Sequence, residues 1–133
     1  MEFAFDSGEA NDYLPHNYTE NCVVYSGTHD NDTLMGWASK AKPEDFAFAR
    51  QYCKMPEWET FNWGIIRTAY ESVANTAIIQ MQDILGLGTE ARMNVPSTLG
   101  GNWVWRIDGS VLTDELADQL KEMVINSSRL EEN

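Results

Sequence analysis

Short apolar runs alternate along this chain with longer stretches of helical spacing, a pattern that predicts strand, helix, strand. Glu2-Phe3-Ala4-Phe5 reads as a strand fragment, followed by a polar loop from Asp6 through Asp12 and a Leu14-Pro15-His16-Asn17-Tyr18 segment. Cys22 to Ser26 is short, apolar and β-branched enough to be a buried parallel strand. A helical stretch then runs to about Ala41. Pro43 opens a second helix, with Glu44 and Asp45 suited to its electropositive N-terminal end, and Lys54-Met55-Pro56 stops it. Asn62 reads as the N-cap of a longer helix whose Ile65, Ile66, Ala69, Tyr70 and Val73 share one face. Ala77 to Gln82 predicts a third strand, because Asn75-Thr76 interrupts the helical pattern, and Gly86-Leu87-Gly88 breaks the chain after it. Beyond a polar-aromatic loop from Asn94 to Arg106, Thr113-Asp114-Glu115 starts an amphipathic helix carrying Leu116, Leu120, Met123 and Val124.

The expected class is therefore α/β, with about three parallel strands and their helices. Three strands are few for a parallel sheet, which needs cover on both faces, and the first has no upstream partner. The run Tyr25-Ser26-Gly27-Thr28-His29-Asp30-Asn31-Asp32-Thr33 places a polar cluster where the second strand ends. Ligand and catalytic groups gather there in parallel sheets, since strand ends are rigid and the following loops are free to vary. His29 and Asp30 are the first candidates. Taken alone, His29 also fits a hydrogen-bonded structural histidine, and Asp30, Asn31 and Asp32 each fit a helix cap.

Composition narrows the partners. The 133 residues carry 21 acidic against 9 basic side chains, a formal charge of -12, so the field repels phosphate backbones and anionic lipid surfaces. Neutral polyols such as sugars feel little of that field, and five Trp suit the apolar faces of pyranose rings, although an aromatic ring is more often a packing residue. Cys22 and Cys53 lack metal-ligand spacing and read as two reduced, buried thiols, and no structural metal is expected. No stretch is long enough to cross a bilayer and no secretory leader is visible, so the chain reads as cytoplasmic. The glycosylation-type triplets at Asn17, Asn31 and Asn126 are then chance matches.

Five motifs in order carry a resemblance to a known family. They are Phe3-Ala4-Phe5-Asp6; Leu14 to Tyr18; Tyr25-x-Gly27 to Thr33; Gln82-Asp83-x-Leu85-Gly86-Leu87-Gly88-x-Glu90-Ala91-Arg92-Met93-Asn94; and Gly101-Asn102-Trp103-x-Trp105-Arg106. Together they resemble the 4-alpha-glucanotransferases, the amylomaltase or disproportionating enzymes of glycoside hydrolase family 77. The resemblance implies a (β/α)8 barrel enzyme of the alpha-amylase clan that moves stretches of alpha-1,4-glucan from a donor to the 4-hydroxyl of an acceptor. Such a barrel needs about 250 residues or more, so the chain looks like its C-terminal part, strands six to eight. The family's nucleophilic Asp and acid/base Glu lie on strands four and five, outside this sequence. The remainder of its own barrel is then an implied partner, alongside maltodextrins and other alpha-1,4-glucans, with glucose as an acceptor and no cofactor.

By place in the motif, Asp30 resembles the family's third carboxylate, which binds sugar hydroxyls and stabilises positive charge in the transition state, and His29 resembles a donor to the same sugar ring. Asn94 resembles a residue on the acceptor side of the cleft, where this chain continues Pro96-Ser97 and the family often has Pro-Gly. Phe3 and His16 match positions beside the donor and acceptor sites, with packing an equal alternative for both, as turn formation before Val95-Pro96 is for Asn94. Gln82 and Asp83 are expected to end the third strand at the same rim, more as supports behind the site than as sugar contacts, and Trp103 and Trp105 to tie down the loop that follows the barrel. Two other classes compete. A carbohydrate-binding module would use Trp, Asp and His too, but such modules are usually all-β and this chain has long helices. A metal-dependent hydrolase would recruit His29, Asp30 and Asp32 as ligands, although residues so close in sequence rarely converge on one ion. A truncated piece with no function of its own is the third possibility.

Overall fold

In the computed structural model, residues 1–5 and 11–130 are described, so most of the expected polar loop from Asp6 lies outside the described residues. β1 (Val23–Tyr25) pairs in parallel with β2 (Thr76–Ile78), in the register Val23↔Thr76, Val24↔Ala77 and Tyr25↔Ile78. Between them run α1 (Leu34–Lys40), α2 (Pro43–Tyr52) and α3 (Phe61–Glu71); α4 (Met81–Ile84) and α5 (Asp114–Asn126) follow. Parallel strands cannot be joined by a tight turn, and here three helices make the crossover. The α/β class expected from the sequence is what forms.

Local chemistry accounts for several boundaries. Pro43 opens α2 with Glu44 and Asp45 in its first turn, as its sequence predicts. The hydroxyl of Thr113 accepts the Leu116 N–H at 3.2 Å and starts α5. Leu116, Leu120, Met123 and Val124 are half-buried, so α5 lies with its apolar face inward. Arg129 fastens its far end, donating from Nε to the Tyr70 carbonyl at 2.7 Å and from Nη2 to those of Ser72 and Ala74 at 3.0 and 2.8 Å.

Other boundaries differ from expectation. Glu2–Phe5 is a 3-10 turn and not a strand. A strand is defined by its ladder; instead, the Ala4 N–H bonds back to the Met1 carbonyl at 2.9 Å, and Phe5 turns into an aromatic cluster 6.0 Å from Trp37 and 6.2 Å from Tyr52. β2 stops at Ile78, well short of Gln82, because the chain coils into α4, which puts Asp83 under the end of β1. Asn62 is not the cap of α3. Thr60 holds that position, and Asn62, buried in the first turn, donates to the Asp83 carbonyl at 2.9 Å. Cys53 is buried and Cys22 only half so; both are free thiols.

The core lies on one side of the strand pair. Val24 packs there with Leu14, Leu34, Phe61 and Ile65, and a ring cluster of Phe5, Trp37, Phe46 and Phe61 extends it. The sequence predicts strands buried on both faces, but Val23, Tyr25 and Ile78 stay 46, 39 and 46% exposed. Among the described residues nothing covers that second face.

Candidate functional site

The cluster builds on the loop between β1 and α1. Within it, the Asn31 carbonyl oxygen Oδ1 accepts from the Thr28 N–H at 2.7 Å and the Thr28 hydroxyl at 2.9 Å, closing a tight turn. The turn lifts His29 and Asp30 beyond the strand end, where their side chains remain 56 and 49% exposed, with His29 Nε2 3.3 Å from Asp30 Oδ1. Neither Asp30 nor Asp32 caps α1; the Thr33 hydroxyl does, accepting the Gly36 N–H at 3.0 Å.

A second loop folds over the first. The Asn94 side-chain amide donates to Asp30 Oδ1 at 2.6 Å, and the Asn94 N–H donates to the His29 carbonyl at 3.1 Å. The Arg92 guanidinium ties both together, reaching the Asp30 carbonyl at 2.7 Å and the Asn94 carbonyl at 2.9 Å. Trp103 closes the rim. Its N–H bonds to the Met93 carbonyl at 2.8 Å, its φ of 62° is in the left-handed region, and its ring centroid stands 5.1 Å from that of His29. The sequence assigned Trp103 only to tying the loop down; its half-exposed ring beside His29 was not legible from position alone.

Asp32 faces elsewhere. Its Oδ2 accepts from Lys40 Nζ at 2.7 Å and the Thr89 hydroxyl at 2.9 Å, and its Oδ1 accepts the Thr33 N–H at 2.8 Å. Burial works against its ionisation, but the Lys40, Thr89 and Thr33 donors outweigh that and hold the carboxyl below its usual range. It therefore does not converge with His29 and Asp30, and among the described residues no group of three or more His, Cys, Asp or Glu is placed to hold a metal ion.

Of the five residues singled out by sequence, the structure brings His29, Asp30 and Asn94 together. His16 is engaged with Tyr52, whose hydroxyl accepts its N–H at 3.0 Å and lies 2.8 Å from Nδ1. The side chain of Phe3 lies outside the described residues. Gln82 and Asp83 are buried below the rim instead of lining it, Gln82 donating to the Ala91 carbonyl at 3.2 Å.

A parallel βαβ unit ending in a polar-aromatic rim defines the class: an α/β segment whose exposed groups are a carboxylate, an imidazole, an amide and an indole. The profile of a family described as 4-alpha-glucanotransferase matches residues 1–113, and the chain belongs to that family. The 4-alpha-glucanotransferase of Clostridium butyricum is 52% identical over 121 residues, covering 90% of this chain and 25% of the relative. The chloroplastic/amyloplastic 4-alpha-glucanotransferase DPE1 of Arabidopsis thaliana is 47% identical over 133 residues, covering 98% of this chain and 23% of the relative. An amylomaltase from Streptococcus agalactiae, solved in complex with acarbose, superposes with a TM-score of 0.92 at 39% identity and covers 96% of this chain and 26% of that one. The chain thus spans about a quarter of the length of these relatives, given the 25, 23 and 26% coverages.

Proposed function

We propose that this chain is the C-terminal part of a 4-alpha-glucanotransferase barrel, with β1 and β2 as its seventh and eighth strands and Glu2–Phe5 at the end of the sixth. The observation that carries the reading is the convergence of His29, Asp30 and Asn94, matched to the family's motifs, at the C-terminal end of a parallel strand. Substrates are maltodextrins and other alpha-1,4-glucans as donors, with glucose or a glucan as acceptor and no cofactor. The compartment is cytoplasmic, and two free thiols fit its reducing chemistry.

Retaining transfer needs two carboxyl groups about 5 to 5.5 Å apart. Both come from the part of the barrel that precedes this chain. One carboxylate attacks the anomeric carbon while the other, as acid, protonates the leaving glucan oxygen. The acceptor 4-hydroxyl then displaces the enzyme carboxylate and gives its proton to the same acid/base group. Asp30 acts in both steps. Its Oδ1 is held by Asn94, which leaves Oδ2 to accept from sugar hydroxyls, and its charge stabilises the oxocarbenium-like transition state more than the ground state. His29 donates to the same ring, and Asn94 faces the acceptor side.

The test is a hybrid enzyme in which this chain continues the preceding three quarters of the Clostridium butyricum relative. Asp30→Asn in that hybrid lowers turnover by about 100-fold or more with a smaller change in maltotriose binding. Near-normal turnover in the folded variant contradicts the role given to Asp30.

A further inference from the structure

Asp83 lies beneath the site and touches none of the groups placed in it. It is fully buried, and so are Ser26, Thr33 and Leu34 around it. Its two carboxylate oxygens go in different directions. Oδ2 accepts the Ser26 hydroxyl at 2.6 Å, and Oδ1 accepts the Leu34 N–H at 2.8 Å. Ser26 is the residue that leaves β1, and Leu34 is the first residue of α1. Residues 27–33 between them are the loop that carries His29 and Asp30.

Asp83 is itself held from below. Asn62 Nδ2 donates to its carbonyl at 2.9 Å, Gln80 Nε2 approaches Oδ2 at 3.3 Å, and the chain reverses just after it at Gly86, whose φ of +65° suits a residue without a side chain. A Cβ at Gly86 would also stand 3.3 Å from Asn62 Nδ2. The carboxylate therefore connects a fixed base in α3 and α4 to both feet of the site loop.

We infer that Asp83 is a positioning residue: by clamping Ser26 and Leu34 it fixes the separation of the two ends of the loop and so the height of His29 and Asp30 above the strand. The loop has its own internal turn at Thr28 and Asn31, so losing the clamp moves it as a unit and does not unravel it. Buried acceptors satisfied by two donors hold geometry far better than exposed ones. A displacement of about 1 Å at a reacting group costs about 100-fold in rate.

The inference rests on the proposed function for its activity arm, and a second arm does not. In the hybrid enzyme, Asp83→Ala lowers kcat by about 100-fold with KM within about 3-fold. Asp83→Asn keeps Oδ1 for the Leu34 N–H, and its amide donates to a Ser26 hydroxyl that turns to accept and to the Gln80 side-chain oxygen once that amide flips, so kcat recovers to within about 5-fold of the parent. Ser26→Ala, which removes only the hydroxyl, cuts one foot and lowers kcat at unchanged KM even if Asp83→Ala does not fold. The other arm is NMR on the same hybrid with labelled histidines, which reads geometry and not turnover. The His29 ring protons carry a ring-current shift from Trp103, and that shift is lost in Asp83→Ala or Ser26→Ala and retained in Asp83→Asn. A parent hybrid that folds but does not transfer glucan counts against the proposed function, while the NMR arm still decides the clamp. Variants that lose thermal stability yet keep both kcat and the His29 shift overturn the inference, as does Asp83→Asn behaving like Asp83→Ala.

Discussion

Asn94 donates its side-chain amide to Asp30 Oδ1 at 2.6 Å, joining the loop after β1 to the loop after β2 across 64 residues of sequence. The contact gives the carboxylate a fixed orientation. Replacing Asn94 with Asp turns the donated hydrogen bond into repulsion between two carboxylates. In the hybrid enzyme, Asn94→Ala should lower kcat about 10-fold and Asn94→Asp should lower it further, with a smaller change in KM for maltotriose. Near-normal kcat in both folded variants would show that the contact does not orient Asp30.

Trp103 has the left-handed φ of 62° and a half-exposed ring. Its replacement by Gly removes the ring but relieves the backbone, whereas Ala removes the ring and keeps the steric conflict of a Cβ at positive φ. Chemical denaturation of this chain should rank Trp103→Gly above Trp103→Ala by about 1 kcal/mol. Equal stabilities, or the reverse order, would mean that the loop adopts another backbone in solution.

The two thiols differ in burial. Burial pushes the Cys53 thiol up to about 11, so at pH 8 almost none is thiolate, and its side chain is also out of contact with solvent. Titration with a chromogenic disulfide reagent should label Cys22 first and Cys53 only on unfolding. Rapid native labelling of Cys53 in a Cys22→Ser variant would contradict the packing of α2 on the core.

Acid stability follows from Asp32. Its folded pKa is lowered, so the stabilisation from Lys40 and Thr89 is present above the unfolded value near 3.8 and is lost as pH falls through the folded value. Asp83 has the opposite sign. Burial raises its pKa against the pull of Leu34, Ser26 and Gln80, so protonation between that raised value and 3.8 favours the folded state. Thermal melts should therefore lose stability most steeply below about pH 3.8, and Asp32→Asn should flatten that loss. A parent and variant with parallel melting profiles below pH 4 would refute the Asp32 contribution.

Most of what the sequence revealed was local. Pro43, the Thr113 cap and the apolar spacing of α5 act within one or two turns, so their sites could be read from their neighbours. The grouping of His29, Asp30 and Asn94 is not local, and became visible only through matched motifs. Misreadings arose where a distant partner overrode local preference. Asn62 looks like a cap, but its amide finds the Asp83 carbonyl 21 residues on. Glu2–Phe5 has strand composition, yet in the structure forms a turn with its aromatic ring in the core. Asp83 and Arg92 both stand in a matched motif, and a supporting role for Asp83 was legible there, but the groups each one holds have no signature in sequence spacing; they depend on where remote parts of the chain come to rest.

The second face of the strand pair, with Val23, Tyr25 and Ile78 outward, is where the rest of the proposed barrel would pack. Expressed alone, the chain should self-associate through that face and the open sheet edges. Sedimentation velocity should show a weight-average mass that rises with concentration across the micromolar range. A single monomeric species with a sharp thermal transition would mean that the segment is a self-sufficient domain.

On the proposed function, this chain supplies the Asp30 side of a glucanotransferase site and needs the rest of the barrel for its nucleophile and acid/base. The most direct measurement is maltotriose disproportionation, followed as release of glucose and longer maltodextrins. The account predicts no turnover by the chain alone, turnover by the hybrid, and loss of that turnover in the hybrid with Asp30→Asn. Disproportionation by the isolated chain, or a correctly folded hybrid that leaves maltotriose unchanged, would contradict it.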